Sequence, residues 1–124
     1  GGLRLLGPLD YLVSPIGVII YPFAGFIPAP ARIRPNAEEV AEIFTVPLRF
    51  LLTAEPLVAN MEVATRPMPG FPLALMPAGY PRKWRRRALY SVLFYQYENR
   101  VIWGLTARML SSFVQICRSM DAAW

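Results

Sequence analysis

The sequence predicts an α/β fold, a sheet sandwiched between helices, built as one domain over residues 1–124. Two observations carry that expectation. The first is the order of patterns: two β-type runs, an amphipathic helical stretch, two more β-type runs, then a long helical stretch. Such an order indicates layered packing of sheet and helix rather than a helix bundle. The second is composition. Of 124 residues, 55% are hydrophobic and 17% charged, and the mean hydropathy is +0.35. That supports one modest core and excludes intrinsic disorder. It is also apolar enough that some surface should be covered by a partner.

The elements follow in order. Leu3, Leu5 and Leu6 around Arg4, then Gly7-Pro8, predict a short strand, a turn and a second short strand over Gly1 to Leu12. The β-formers of residues 16–27 are continuously apolar, which predicts a strand covered on both faces. Residues 28–35 are proline-rich and predict a rigid extended loop. A helix is then expected over Asn36 to Pro47, with Asn36 as N-cap and Glu39 reaching back to it. Pro47 opens a further helical turn through Leu52, closed by Glu55-Pro56. Leu57 to Thr65 reads as a strand, and residues 66–81 as a long loop with one short strand at Phe71–Met76. Ala88 to Tyr97 is rich in Tyr, Val, Leu and Phe and predicts a strand. It turns at Glu98-Asn99-Arg100 and returns along Val101-Ile102-Trp103. The last helix carries Leu105, Met109, Phe113, Ile116, Cys117 and Met120 as its expected buried side, with Arg108 and Arg118 on the polar side.

The composition also excludes some chemistry. There is no histidine, so Ser-His-Asp and Cys-His catalysis and the usual zinc sites are out of reach of these residues. Cys117 is the single cysteine, expected as a buried structural thiol. Tyr11 to Ala31 is uncharged and long enough to span a membrane, but prolines and glycines interrupt it, and buried strands fit better. Nothing at the N-terminus has the pattern of a signal peptide, so a cytoplasmic location is expected. The net charge of +5 suits an anionic partner.

Two charged stretches remain as candidate sites. Glu38, Glu39 and Glu42 gather on the expected acidic helix, either as a catalytic face or as a solvated one. Arg82-Lys83-Trp84-Arg85-Arg86-Arg87 is a dense basic run, either a solubilising loop or a phosphate-binding rim with Trp84 able to stack.

Two motifs carry a resemblance. One is Asn36-x-x-Glu39-Val40-x-Glu42-x-Phe44-x-Val46-Pro47-Leu48, preceded by Ser14-Pro15 and the apolar run Val18–Ile27. The other is Ile102-Trp103-Gly104-Leu105-Thr106-Ala107-Arg108-Met109-Leu110, after a Phe/Tyr strand. In this order the chain resembles the coenzyme A pyrophosphatase branch of the Nudix hydrolases. The resemblance implies a Nudix-type α/β/α sandwich with a mixed sheet, and hydrolysis of a pyrophosphate bond in coenzyme A or related nucleoside diphosphate derivatives. It implies Mg²⁺ or Mn²⁺ held by a glutamate-rich helix, the Nudix box.

That box is absent from these residues, and the turn at Glu98-Asn99-Arg100 lacks the histidine often found before Ile-Trp-Gly. The resemblance therefore implies the C-terminal part of a Nudix domain, incomplete at its N-terminus. Such a chain is expected to be inactive unless a box is supplied in trans or upstream. The alternative is a non-catalytic remnant that binds nucleotides or dimerises. On the resemblance, Glu38 and Glu39 are the catalytic candidates. Arg85 and Arg86 would meet the substrate's phosphates, and Tyr95 or Trp103 its adenine. The expected partners are a second copy or a missing N-terminal half, and a small coenzyme A-like nucleotide. Nucleic acid and membrane are not expected partners.

Overall fold

The computed structural model describes residues 2–28 and 33–120. Gly1, where the first expected strand begins, and residues 29–32 of the expected loop over 28–35 lie outside the described residues. The chain has mixed α/β content, compatible with part of a Nudix-type α/β fold. Every strand pairing among the described residues is antiparallel.

The N-terminal region is a β-ribbon in two ladder segments. Strand β1 (Arg4–Pro8) pairs with β4 (Phe23–Phe26), and β2 (Leu12–Val13) pairs with β3 (Ile19–Ile20). The Leu9 amide donates to the Pro22 carbonyl where the ladders meet. Gly7-Pro8 does not turn the chain as expected; it lies within β1, beside a register shift between Leu5 and Gly7. The turn forms instead at Ser14-Pro15-Ile16-Gly17. Ser and Pro suit its first two positions, and Gly17 takes φ 87°, where a side chain would be strained. The Gly17 amide donates to the Ser14 carbonyl at 2.9 Å, and the Val18 amide to Ser14 Oγ at 3.1 Å.

The single covered strand expected over residues 16–27 is thus corrected to a turn and two short strands. Within this chain they leave Ile16 86% exposed, with Tyr21 and Phe23 also outward. Gly17 and Pro22 break the run.

The second sheet has order β5-β6-β7, formed by Leu57–Thr65, Arg85–Tyr97 and Arg100–Trp103. Strand β5 has the bounds expected of it, while β6 starts three residues early and takes Arg85, Arg86 and Arg87 out of the expected loop. The short strand expected at Phe71–Met76 is a 3₁₀ turn, Leu73–Leu75. Prolines 72 and 77 fit a short turn and cannot donate to a ladder.

Helix α1 (Leu48–Thr53) forms where the sequence predicts a helical turn, with Pro47 as its N-cap and not its first helical residue. Its open C-terminal carbonyls are met from a distance: Arg118 donates to Leu52 O at 2.9 Å and to Ala54 O at 3.3 Å. Helix α2 (Gly104–Ser119) lies against β6 and β7. Leu51, Tyr95, Ala107 and Val114 form the buried cluster, with Phe50, Leu93, Ile102 and Leu110 packed around it. The fully buried residues of α2 are Ala107, Val114 and Cys117; of the expected set Cys117 is buried, Leu105, Met109 and Phe113 are half-buried, and Ile116 and Met120 are exposed.

The helix expected over Asn36 to Pro47 is also corrected. Its start forms: Asn36 Oδ1 accepts from the Glu38 amide at 3.1 Å, and Asn36 O accepts from the Glu39 and Val40 amides. One turn follows, and the chain then runs irregularly to Pro47. A single turn gains few hydrogen bonds for the dihedrals it fixes, so it propagates only where an apolar face is buried. Here Ile43 and Phe44 are exposed at 52% and 41%. Arg100 holds the segment in its open form, pairing with Glu42 and sitting 4.7 Å over the Phe44 ring.

Candidate functional site

The strand-to-helix junction builds the main candidate site. Ile102 turns inward against the core, so by the alternation of a strand Trp103 turns outward. Trp103 stacks on Phe94, with ring centroids 6.2 Å apart and planes 11° from parallel. Gly104 follows at φ 67°, which allows β7 to pass into α2 with no connecting loop. The first turn of α2 then carries Thr106 toward the same side as Trp103, while Ala107 enters the core.

These groups line a cleft of about 1050 Å³. The ribbon supplies one wall with Tyr11, Val13 and Pro15, and Met61, Leu89 and Ser91 of the sheet form another. Arg108 closes it from α2, donating to Ser91 O at 2.6 Å and Ser91 Oγ at 2.8 Å. The cleft thus combines apolar walls, an outward-facing indole and a helix N-terminus. That combination suits a ligand with a flat ring and an anionic group.

Of the candidates named from the sequence, Trp103 is the one that lines this cleft. Tyr95 is 3% exposed and lies in the core beside Leu51 and Ala107, so its ring packs and does not face a ligand. Arg86 donates to Glu62 at 2.6 Å across the β5–β6 pair. Arg85 lines a separate smaller pocket. Glu38 and Glu39 are adjacent on an exposed turn. Arg108, Ser91 and Thr106 are cleft residues that sequence reasoning missed. The three-residue spacing of Trp103 and Thr106 on a strand-to-helix junction was an available signal; the reach of Arg108 to Ser91 was not.

Cys117 is buried beneath α2, and burial pushes its thiol above the ordinary value of 9.0. It does not line the cleft and belongs to the core.

The chain is 30% identical over 113 residues to an uncharacterized Nudix hydrolase NudL of Photorhabdus laumondii, covering 91% of this chain and 49% of that protein. It is 31% identical over 110 residues to the protein of the same description in Pectobacterium atrosepticum, covering 87% of this chain and 45% of that one. These likenesses support the Nudix family. The Nudix-like chain spans about half the length of the curated relatives it matches. No family model and no solved structure matches it.

Nudix hydrolases generally use divalent metals, and the residues present here do not fit one. Among the described residues, no group of three or more His, Cys, Asp or Glu side chains comes together. Glu42 and Glu62 are engaged by Arg100 and Arg86, and the pair Glu38-Glu39 has no third carboxylate beside it. A hard cation needs more oxygen ligands than that pair offers. Among the described residues no helix is long and apolar enough to cross a membrane.

Proposed function

We propose that this chain is the substrate-holding portion of a Nudix pyrophosphohydrolase, acting on coenzyme A or a related nucleoside diphosphate derivative. Its catalysis then depends on a metal-binding segment outside these residues. The observation that carries this reading is the Ile102–Leu110 motif, which lies within the likeness to the NudL proteins and whose Trp103, Gly104, Leu105, Thr106 and Arg108 line the cleft. Trp103 offers an aromatic face for the adenine, and the first turn of α2 offers a positive dipole end for an anionic group. Glu38 and Glu39 remain the carboxylates of this chain that could assist a metal-binding segment brought against their exposed turn.

The test is coenzyme A hydrolysis with Mn²⁺, run on this chain alone and on the chain joined to the N-terminal half of its Photorhabdus relative. Turnover in the joined protein and none in the isolated chain is expected. A joined protein that folds and binds coenzyme A yet never cleaves it sinks the hydrolase assignment.

A second reading is a non-catalytic module that binds nucleotides or dimerises. The exposed apolar side chains of the ribbon, Ile16 and Tyr21 among them, support its dimerising form. Calorimetry with coenzyme A separates the two: binding that is indifferent to Mg²⁺, with no turnover in either protein, selects the module.

A further inference from the structure

A smaller pocket lies at the far end of the β5–β6 pair from the cleft. It has a volume of about 170 Å³ and is lined by Thr65, Arg66, Phe71, Tyr80, Arg85 and Arg87, with Pro67 and Pro81 at its edge. No carboxylate lines it. We infer that this pocket is a binding site for a small phosphate-bearing anion, a phosphomonoester or diphosphate, gripped by Arg66, Arg85 and Arg87.

The backbone aims one of these groups. Along β5, Val63 faces Ala88 and Ala64 faces Arg86, so Arg87 is an extra residue on β6 with no opposite number. Such a bulge redirects the side chain it carries. Arg87 accordingly reaches Thr65 Oγ1 at 2.8 Å and the Tyr80 hydroxyl at 3.4 Å. Both partners are neutral, so the guanidinium is positioned and keeps its full charge. Arg66 is positioned the same way, 4.9 Å from the centroid of the Trp84 ring. A cation–π contact orients a charge without cancelling it. Phe71 stacks on Tyr80, with centroids 6.1 Å apart, and stiffens the opposite wall.

Arg86, between Arg85 and Arg87, shows the contrast. It is neutralised by Glu62 and does not line the pocket. The fold therefore sorts the basic run: one arginine is paired across the sheet, and two join Arg66 around a concavity. Three like charges converging without a carboxylate repel one another, and an anion between them removes that repulsion. Guanidinium forks match phosphate oxygens in pairs, which distinguishes such a site from a diffuse basic surface. The volume corresponds to about six molecules of liquid water. That admits a phosphoryl group or a diphosphate, and is below the usual size of a pocket that engulfs a whole nucleotide. The site goes beyond the Nudix reading, because it requires neither metal nor turnover.

The test is calorimetric titration of the whole chain with inorganic pyrophosphate, without metal, at about 50 mM and about 200 mM salt. Binding at the lower salt that weakens at the higher is expected. Arg87→Gln should weaken it about tenfold or more, and Arg87→Lys should recover only part, since a point charge replaces the fork. Arg85→Gln gives a second reading at the exposed start of β6, should Arg87→Gln disturb the bulge. Arg4→Gln in β1 removes the same charge elsewhere and should change affinity less than about twofold. Equal weakening by Arg4→Gln overturns the proposal, because attraction to net charge would then explain everything. So does absence of binding at the lower salt. Tighter capture of a single-stranded oligonucleotide than of pyrophosphate, lost with the same arginines, overturns the assignment to a small ligand.

Discussion

Arg108 on α2 clasps Ser91 on β6 through two hydrogen bonds, one to its backbone carbonyl at 2.6 Å and one to its hydroxyl at 2.8 Å. The contact ties the start of the long helix to the middle strand and closes one end of the cleft. It also places a charge beside a partly buried carbonyl, where such bonds are stronger than between neutral groups.

Removing the guanidinium leaves the Ser91 groups without that donor. Arg108→Ala is expected to cost about 1–3 kcal/mol of stability. Ser91→Ala removes only the hydroxyl acceptor and should cost less, about 0.5–1.5 kcal/mol. Denaturant unfolding of the two variants and their combination checks this. The double variant should cost no more than Arg108→Ala alone, because the hydroxyl that Ser91→Ala removes has already lost its donor. Additive losses would mean that the clasp contributes little.

Gly104 separates backbone strain from steric crowding. Its φ is 67°, yet a Cβ built there meets nothing within 4 Å. Gly104→Ala should therefore lose about 1–2 kcal/mol, the cost of the left-handed conformation alone. Gly104→Val should lose more, since a β-branched residue is disfavoured further there. Glu98 is the converse case, a non-glycine residue at φ 55° in the two-residue turn between β6 and β7. Glu98→Gly is expected to raise the melting temperature, while Gly104→Ala lowers it. Equal melting temperatures for Gly104→Ala and the parent chain would remove the argument from strain.

These local rules were legible in the sequence, and the tertiary ones were not. Leu57–Thr65 lies between Glu55-Pro56 and the proline-rich run from Pro67, so its bounds followed from the breakers on either side. Pro47 announces α1, and Ile102-Trp103-Gly104 announces the passage from strand to helix. Asn36 does cap a turn, but whether that turn grows depends on burial of Ile43 and Phe44, which no local signal reports. Arg100 lies 58 positions from Glu42 in sequence and holds that segment by an ion pair and a ring contact. The candidate site divides in the same way. Trp103 was visible as an aromatic at a motif, whereas Tyr95, equally aromatic, is buried by its position on the inner face of β6. The arginine pocket depends on one inserted residue in β6, which spacing along one strand does not reveal.

Cys117 gives a prediction in pH. Its thiol is held above the ordinary value by burial, so the folded chain binds its proton more tightly than the unfolded chain does. Below the ordinary value of 9.0 both states carry the proton and the group is silent. As pH rises past that value, the unfolded state releases the proton first, and stability falls. Cys117→Ala removes this alkaline loss while opening a small cavity. It is expected to be less stable than the parent near neutral pH, with the gap narrowing as pH rises above 9.0. In the folded parent chain, a thiol reagent should react much more slowly than in denaturant. Rapid labelling of the native protein at neutral pH would refute the buried assignment.

The N-terminal ribbon makes the strongest claim about assembly. Ile16 is 86% exposed, Tyr21 67%, Tyr11 62% and Val13 59%, all on an element of short ladders. An apolar groove of about 550 Å³ also remains between β4 and α2, lined by Phe23, Val46, Met109 and Phe113. A ribbon of two short strands is marginal alone in water and gains stability when its apolar face is covered. The expected cover in a solution of this chain is a second copy. Light scattering should show a mass that rises with concentration, and hydrogen exchange of β2 and β3 should slow with it. Ile16→Asp combined with Tyr21→Lys should abolish the rise while leaving the β5–β6–β7 sheet folded by circular dichroism, because neither side chain belongs to the core cluster around Leu51 and Tyr95. A monomer at every concentration, with β2 and β3 fully protected, would show that the ribbon is stable uncovered and would defeat the prediction.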